Sequence, residues 1–91
     1  MKKFNVDFTK EAWKEYQFFL KNDKRLAERI YNLIESISID PFNGIGKPEP
    51  LKYKYSGFWS RRIDYENRLI YRPIDDETIE IVRCKGHYNS H

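Results

Sequence analysis

A carboxylate, an imidazole and several cations in the second half of this chain supply the parts for acid–base chemistry on a phosphodiester. Glu49 sits between Pro48 and Pro50, where the backbone is restricted. Lys52 follows at the end of Gly46-Lys47-Pro48-Glu49-Pro50-Leu51-Lys52. Arg61 and Arg62 lie in Gly57-Phe58-Trp59-Ser60-Arg61-Arg62-Ile63, and Arg68 in Glu66-Asn67-Arg68-Leu69-Ile70-Tyr71. His87-Tyr88 comes near the end. RNA carries its own nucleophile, the 2′-hydroxyl. A base that deprotonates it, cations that stabilise the crowded phosphoryl transition state and an acid that protonates the departing 5′-oxygen suffice to cleave it without a metal.

Each of these residues also has an ordinary reading. Glu49 suits a plain exposed loop. Arg61 and Arg62 are neighbours in a strand pattern, so they point to opposite faces and only one can share a face with a site. Arg68 reaches that face from the partner strand, or pairs with its neighbours Glu66 and Asp64 as cross-strand ion pairs. Imidazole suits proton transfer at neutral pH, which makes His87 a candidate, or else His87 is simply solvated near the terminus, as His91 reads. Tyr88 offers a flat face for a base, or is a partly buried aromatic. Lys52 contacts a phosphate or solvates a strand end. Two histidines and one cysteine form no spaced metal-ligand set, and Gly44-Ile45-Gly46 lacks the rest of a phosphate-cradling loop.

At 91 residues the chain reads as one domain, residues 1–91, with 15 aromatic residues to help build a core. Residues 47–72 hold seven Lys/Arg against three Asp/Glu, so more than the whole net charge of +3 sits in the motif segment. Such a segment attracts phosphates or is an ordinary solvated strand surface. There is no apolar run long enough for a membrane span, and Asn5 and Asp7 interrupt the start in a way unlike a signal peptide. The single Cys84 has no partner in the chain, which fits a reducing cytoplasm.

The elements that must position these residues read as β-α-α-β-β-β. Phe4, Val6 and Phe8 alternate with polar residues as in a half-buried strand. Thr9 can cap a helix carrying Ala12, Trp13, Tyr16, Phe19 and Leu20. Asn22-Asp23 breaks and recaps the chain. A second helix shows Leu26, Ala27, Ile30, Leu33, Ile34 and Ile37 on one face, with Lys24, Arg25, Glu28, Arg29 and Glu35 outward. Asp40-Pro41 stops it. Phe58–Asp64 and Asn67–Ile74 flank a turn at Tyr65-Glu66, and Thr78–Lys85 follows, with a short extra strand near Leu51–Lys54. The expected fold class is α+β: an N-terminal strand and an antiparallel helical hairpin packed on one face of a mostly antiparallel sheet.

These words in this order resemble the YoeB toxins of the RelE/ParE superfamily along nearly the whole chain. Asn22-Asp23-Lys24-Arg25, Pro41-Phe42, Ser56-Gly57-Phe58-Trp59-Ser60-Arg61-Arg62-Ile63 and the His87-Tyr88 pair share in the likeness. The resemblance implies a RelE/YoeB-like, microbial-RNase-like fold and cleavage of messenger RNA on the translating ribosome, with no cofactor. Its implied partners are a YefM-type antitoxin, the ribosome and messenger RNA, with no membrane; it leaves room for a homodimer. It also implies Glu49 as general base, His87 as general acid and Arg68 as stabiliser of the transition-state phosphate. Lys52, Arg62 and Glu66 would shape and charge the site, and Tyr88 would position the nucleotide. The chain departs from the family's wording at Asn67, where histidine is frequent, and in Asn89-Ser90-His91, which follow a pair at which members commonly end. Two other functions remain open: a ParE-like toxin acting on a protein target such as gyrase, and a nucleic-acid-binding module without catalysis.

Overall fold

The computed structural model describes residues 2–87. Strand β1 (Asn5–Phe8) runs into Thr9, whose hydroxyl accepts from the Ala12 N–H at 3.1 Å and caps helix α1 (Lys10–Asn22). The link to helix α2 (Lys24–Ile39) is Asp23 alone. Its backbone N–H donates to Phe19 O and closes α1, while its side chain accepts from the Leu26 N–H and opens α2. A one-residue link forces the helices back on each other as a hairpin.

The apolar stripe of α2 is buried as its spacing requires, through Ala27, Ile30, Leu33 and Ile37. Helix α1 departs from its pattern. Ala12 and Phe19 are buried, but Trp13 and Leu20 are nearly half exposed and the third inward residue is Glu15.

Five strands form one sheet in the order β1-β5-β4-β3-β2, where β2 is Glu49–Pro50, β3 Trp59–Arg62, β4 Arg68–Pro73 and β5 Thr78–Arg83. All pairs are antiparallel except β1 with β5, so the sheet is mixed. Leu69, Tyr71, Ile79 and Ile81 face the helices and complete the core.

The extra strand expected near Leu51–Lys54 lies earlier, at Glu49–Pro50. Tyr53–Tyr55 is instead a turn of 3₁₀ helix, with Tyr53 at φ 59° and turn bonds to Lys52 O and Tyr53 O. Pro50 has no N–H for a longer ladder, which suits a short edge strand. The β3–β4 connection is also longer than the two residues expected. Asp64 Oδ1 accepts from the Glu66 and Asn67 N–H groups at 2.9 and 2.7 Å, drawing the ends of both strands into the turn.

Candidate active site

Strand alternation decides which arginine can face a site. Arg61 points inward and is fully buried, whereas its neighbour Arg62 is exposed on the opposite face. Arg62 lies opposite Arg68 in the ladder, and Glu49 opposite Ser60, which lies opposite Ile70. Glu49, Ser60, Arg62, Arg68 and Ile70 therefore share the sheet face turned away from the helices. Arg68 Nη1 stands 4.0 Å from Glu49 Oε1, with 62% of the Glu49 side chain exposed and 25% of Arg68. A pair so long and so open to water adds little stability. The ion pairs of Arg62 or Arg68 with Asp64 or Glu66 do not form among the described residues.

The loop that delivers Glu49 is fastened from both sides. Gly46 O accepts the Arg62 N–H at 2.7 Å. Gly46 has φ +84°, and a Cβ there would lie 2.6 Å from Leu33 Cδ2, so only glycine fits. Inside, the Arg61 guanidinium donates to Ser36 Oγ, Ile45 O, Asp40 O and Asn43 O at 2.7–3.1 Å and to Tyr71 Oη at 2.9 Å. Tyr71 Oη donates onward to Pro41 O at 2.7 Å. Segment 40–46 is thus wrapped around a buried cation.

His87 reaches the same side of the sheet from beyond β5. The Arg68 N–H donates to Gly86 O at 3.1 Å, and the Gly86 N–H donates to Asn67 Oδ1 at 2.8 Å. His87 lines an open cleft with Tyr55, Phe58, Ile70, Val82, Arg83 and Lys85. The Arg72 guanidinium lies 4.9 Å from the Phe58 ring centre, while its Nε bonds Glu80. Ile70 links this cleft to the row that ends in Glu49, two strand spacings or roughly 10 Å away. Phe58 and Ile70 give the cleft apolar surface, while the nearby cations are engaged, Arg83 with Glu15 and Lys85 over the Phe18 ring.

The structure thus brings Glu49, Arg62 and Arg68 onto one face and ties the residue before His87 to the Arg68 backbone. Lys52 is exposed at the start of the 3₁₀ turn, and Glu66 is exposed in the β3–β4 turn without an ion pair among the described residues. Tyr88 lies outside the described residues. Reading the sequence missed Phe58 as a cleft residue, although it stands in a motif word, and noted Asn67 only as a departure from the family's wording, without its bond to Gly86. It also placed Arg29 on a solvated face, whereas its guanidinium donates to the carbonyls of Arg62 and Ile63 and braces the end of β3. No three metal-ligating side chains gather among the described residues.

A helical hairpin on a five-stranded mixed sheet, with this open face, is the architecture of a class of bacterial toxins. The model of the YoeB-like toxin of bacterial type II toxin-antitoxin systems matches residues 8–88. A Toxin YoeB from Synechocystis is 52% identical over 83 residues, covering 91% of this chain and 95% of the relative. The YoeB dimer from Staphylococcus aureus superposes with a TM-score of 0.85 at 42% identity, covering 94% and 99% of the two chains. The heterotetrameric YoeB–YefM toxin–antitoxin complex from Staphylococcus aureus gives 0.84 at 43% identity, covering 93% and 98%. The chain belongs to the YoeB family of type II toxin–antitoxin toxins.

Proposed function

We propose that this toxin is a ribosome-dependent endoribonuclease that cuts messenger RNA and so stops translation. The observation that carries the reading is the connection running from Glu49 to His87. The carboxylate faces the Arg68 guanidinium at 4.0 Å, and the Arg68 backbone holds the residue before the imidazole at 3.1 Å. Glu49 takes the 2′-hydroxyl proton, the 2′-oxygen bonds to phosphorus, and the 5′-oxygen leaves with a proton from His87. Arg68 stabilises the charge on the phosphoryl oxygens as it develops. Arg62, Lys52 and Glu66 shape and charge the approach, and Tyr88 positions the nucleotide. A toxin acting on a protein target, or a module that only binds nucleic acid, needs neither an acid nor a base.

Its regulator in this reading is a YefM-type antitoxin, as in the Staphylococcus aureus complex, and two copies of the toxin associate as in the dimer from that organism. An acidic, extended inhibitor suits the basic segment 47–72. No described helix is long and apolar enough to cross a membrane, and the reading places the protein in the cytoplasm with the ribosomes.

The termini of RNA cut in a translation reaction test the chemistry. A 5′-hydroxyl with a 2′,3′-cyclic or 3′-phosphate is expected, and a 5′-phosphate would make water the nucleophile and overturn it. Equal rates on naked and ribosome-bound messenger would refute the ribosome requirement.

A further inference from the structure

We propose that Asn67 is the positioning residue that holds His87 in the site, through an Asp64–Asn67–Gly86 bridge; the inference rests on the acid role given to His87 above. Strand β5 ends at Arg83, and Glu15 Oε1 accepts the Cys84 N–H at 2.8 Å. Past that point the backbone before His87 is held by the bonds of Gly86 and by a longer one, 3.4 Å, from Arg83 Nη2 to Lys85 O. Its carbonyl accepts from the Arg68 N–H at 3.1 Å and its N–H donates to Asn67 Oδ1 at 2.8 Å.

The other end of the Asn67 amide is equally committed. Nδ2 donates to Asp64 Oδ1 at 3.0 Å, and that oxygen also accepts the Asn67 backbone N–H at 2.7 Å. An ionised carboxylate only accepts and a backbone N–H only donates, so the group between them must do both. A primary amide does so in one orientation, oxygen toward Gly86. The turn that Asp64 builds between β3 and β4 is thereby coupled, across 19 residues, to the chain just before the imidazole.

Gly86 has φ +92° and nothing within 4 Å of where a Cβ would stand. Alanine there disturbs the segment through backbone strain alone, with every Asn67 contact left available. Neither Asn67 nor Gly86 touches the reacting atoms in this reading, so losing either should act on turnover and leave substrate affinity in place.

The test is ribosome-dependent cleavage together with amide hydrogen exchange on the full chain. Asn67→Ala should lower kcat roughly 5–20-fold, as expected for one lost hydrogen bond that orients a proton donor, with KM within about twofold. Gly86 amide exchange should quicken in parallel. Asn67→Asp alone sets two carboxylates together and should be no better. The exchange Asp64→Asn with Asn67→Asp should not recover turnover, because Asp64 Oδ1 also accepts two backbone N–H groups and a side-chain N–H placed there would face donors. Gly86→Ala should reproduce the kcat loss even if Asn67→Ala folds poorly. Parental kcat in Asn67→Ala, or slow turnover with unchanged Gly86 exchange, overturns the proposal. Should the parental protein leave messenger intact, the nuclease reading falls, and Gly86 exchange in Asn67→Ala still decides whether the bridge holds this segment.

Discussion

Arg61 Nε donates to Tyr71 Oη at 2.9 Å, and both side chains are fully withdrawn from solvent. The hydroxyl accepts from the cation and must donate elsewhere, which it does to Pro41 O. Burial pushes the Tyr71 phenol up, against the opposing pull of the Arg61 hydrogen bond, so it stays protonated and keeps that donor. Arg61 is met by carbonyl and hydroxyl oxygens rather than by a carboxylate in contact. Removing it strands several buried acceptors at once. Arg61→Met should cost about 3–5 kcal/mol in urea unfolding, and Tyr71→Phe about 1–3 kcal/mol. Parental midpoints for both would show that the loop holds itself.

Glu49→Gln and His87→Gln should each slow cleavage by roughly 10²–10⁴-fold, the usual worth of a general base or acid. Both side chains are exposed, so circular dichroism and melting should stay parental. Arg68→Ala should lower kcat more than it raises KM, because the cation matters most as phosphate charge develops. Two folded carboxylate and imidazole variants cutting at the parental rate would remove both assignments.

Asp40 gives the fold an acid limb. The Phe42 N–H bonded to its carboxylate holds its pKa below the ordinary aspartate value, with Asn43 and then Arg61 adding to the effect. The folded state therefore binds this proton less readily than the unfolded chain. Its contribution is complete above the unfolded value and is lost as pH falls through the lower folded one. Asp40→Asn should lower the melting temperature near neutrality, and the gap to the parental protein should begin to narrow below about pH 4, closing as pH falls through the folded value. A gap independent of pH would exclude the carboxylate's charge as the cause.

Cys84 should be inert in the native protein. Burial, aided by the nearby Glu15 carboxylate, pushes its thiol up to about 12, and the side chain is fully buried. Alkylation by iodoacetamide at pH 8 should be slow, and should become fast in denaturant. Rapid labelling of the folded protein would mean that the end of β5 opens readily.

Local rules made much of this molecule readable. The Thr9 cap, the break at Asp23 and the apolar stripe of α2 depend on neighbours in sequence, and each falls where its chemistry puts it. The opposite facing of Arg61 and Arg62 follows from the pleat. What escaped depends on partners distant in sequence. Glu15 has no place in the apolar pattern read for α1, yet its carboxylate bonds Arg83 Nε at 2.9 Å and the Cys84 N–H, close to 70 residues along the chain. Arg61 reads as one of two interchangeable cations until the loop around it is seen. Nothing local marks Asn67 as the partner of Gly86.

Among the described residues strand β1 pairs only with β5, so the first strand made must wait for the last. Even the Thr9 hydroxyl, which caps α1, meets Val82 O across 73 residues. Such long-range closure slows folding, and it also orders events during synthesis. A nascent chain stopped before Thr78 has a helical hairpin but lacks β5, both contacts of Glu15 and all of the segment that carries His87. In the nuclease reading, incomplete products therefore lack the acid, and activity arrives only with the final strand.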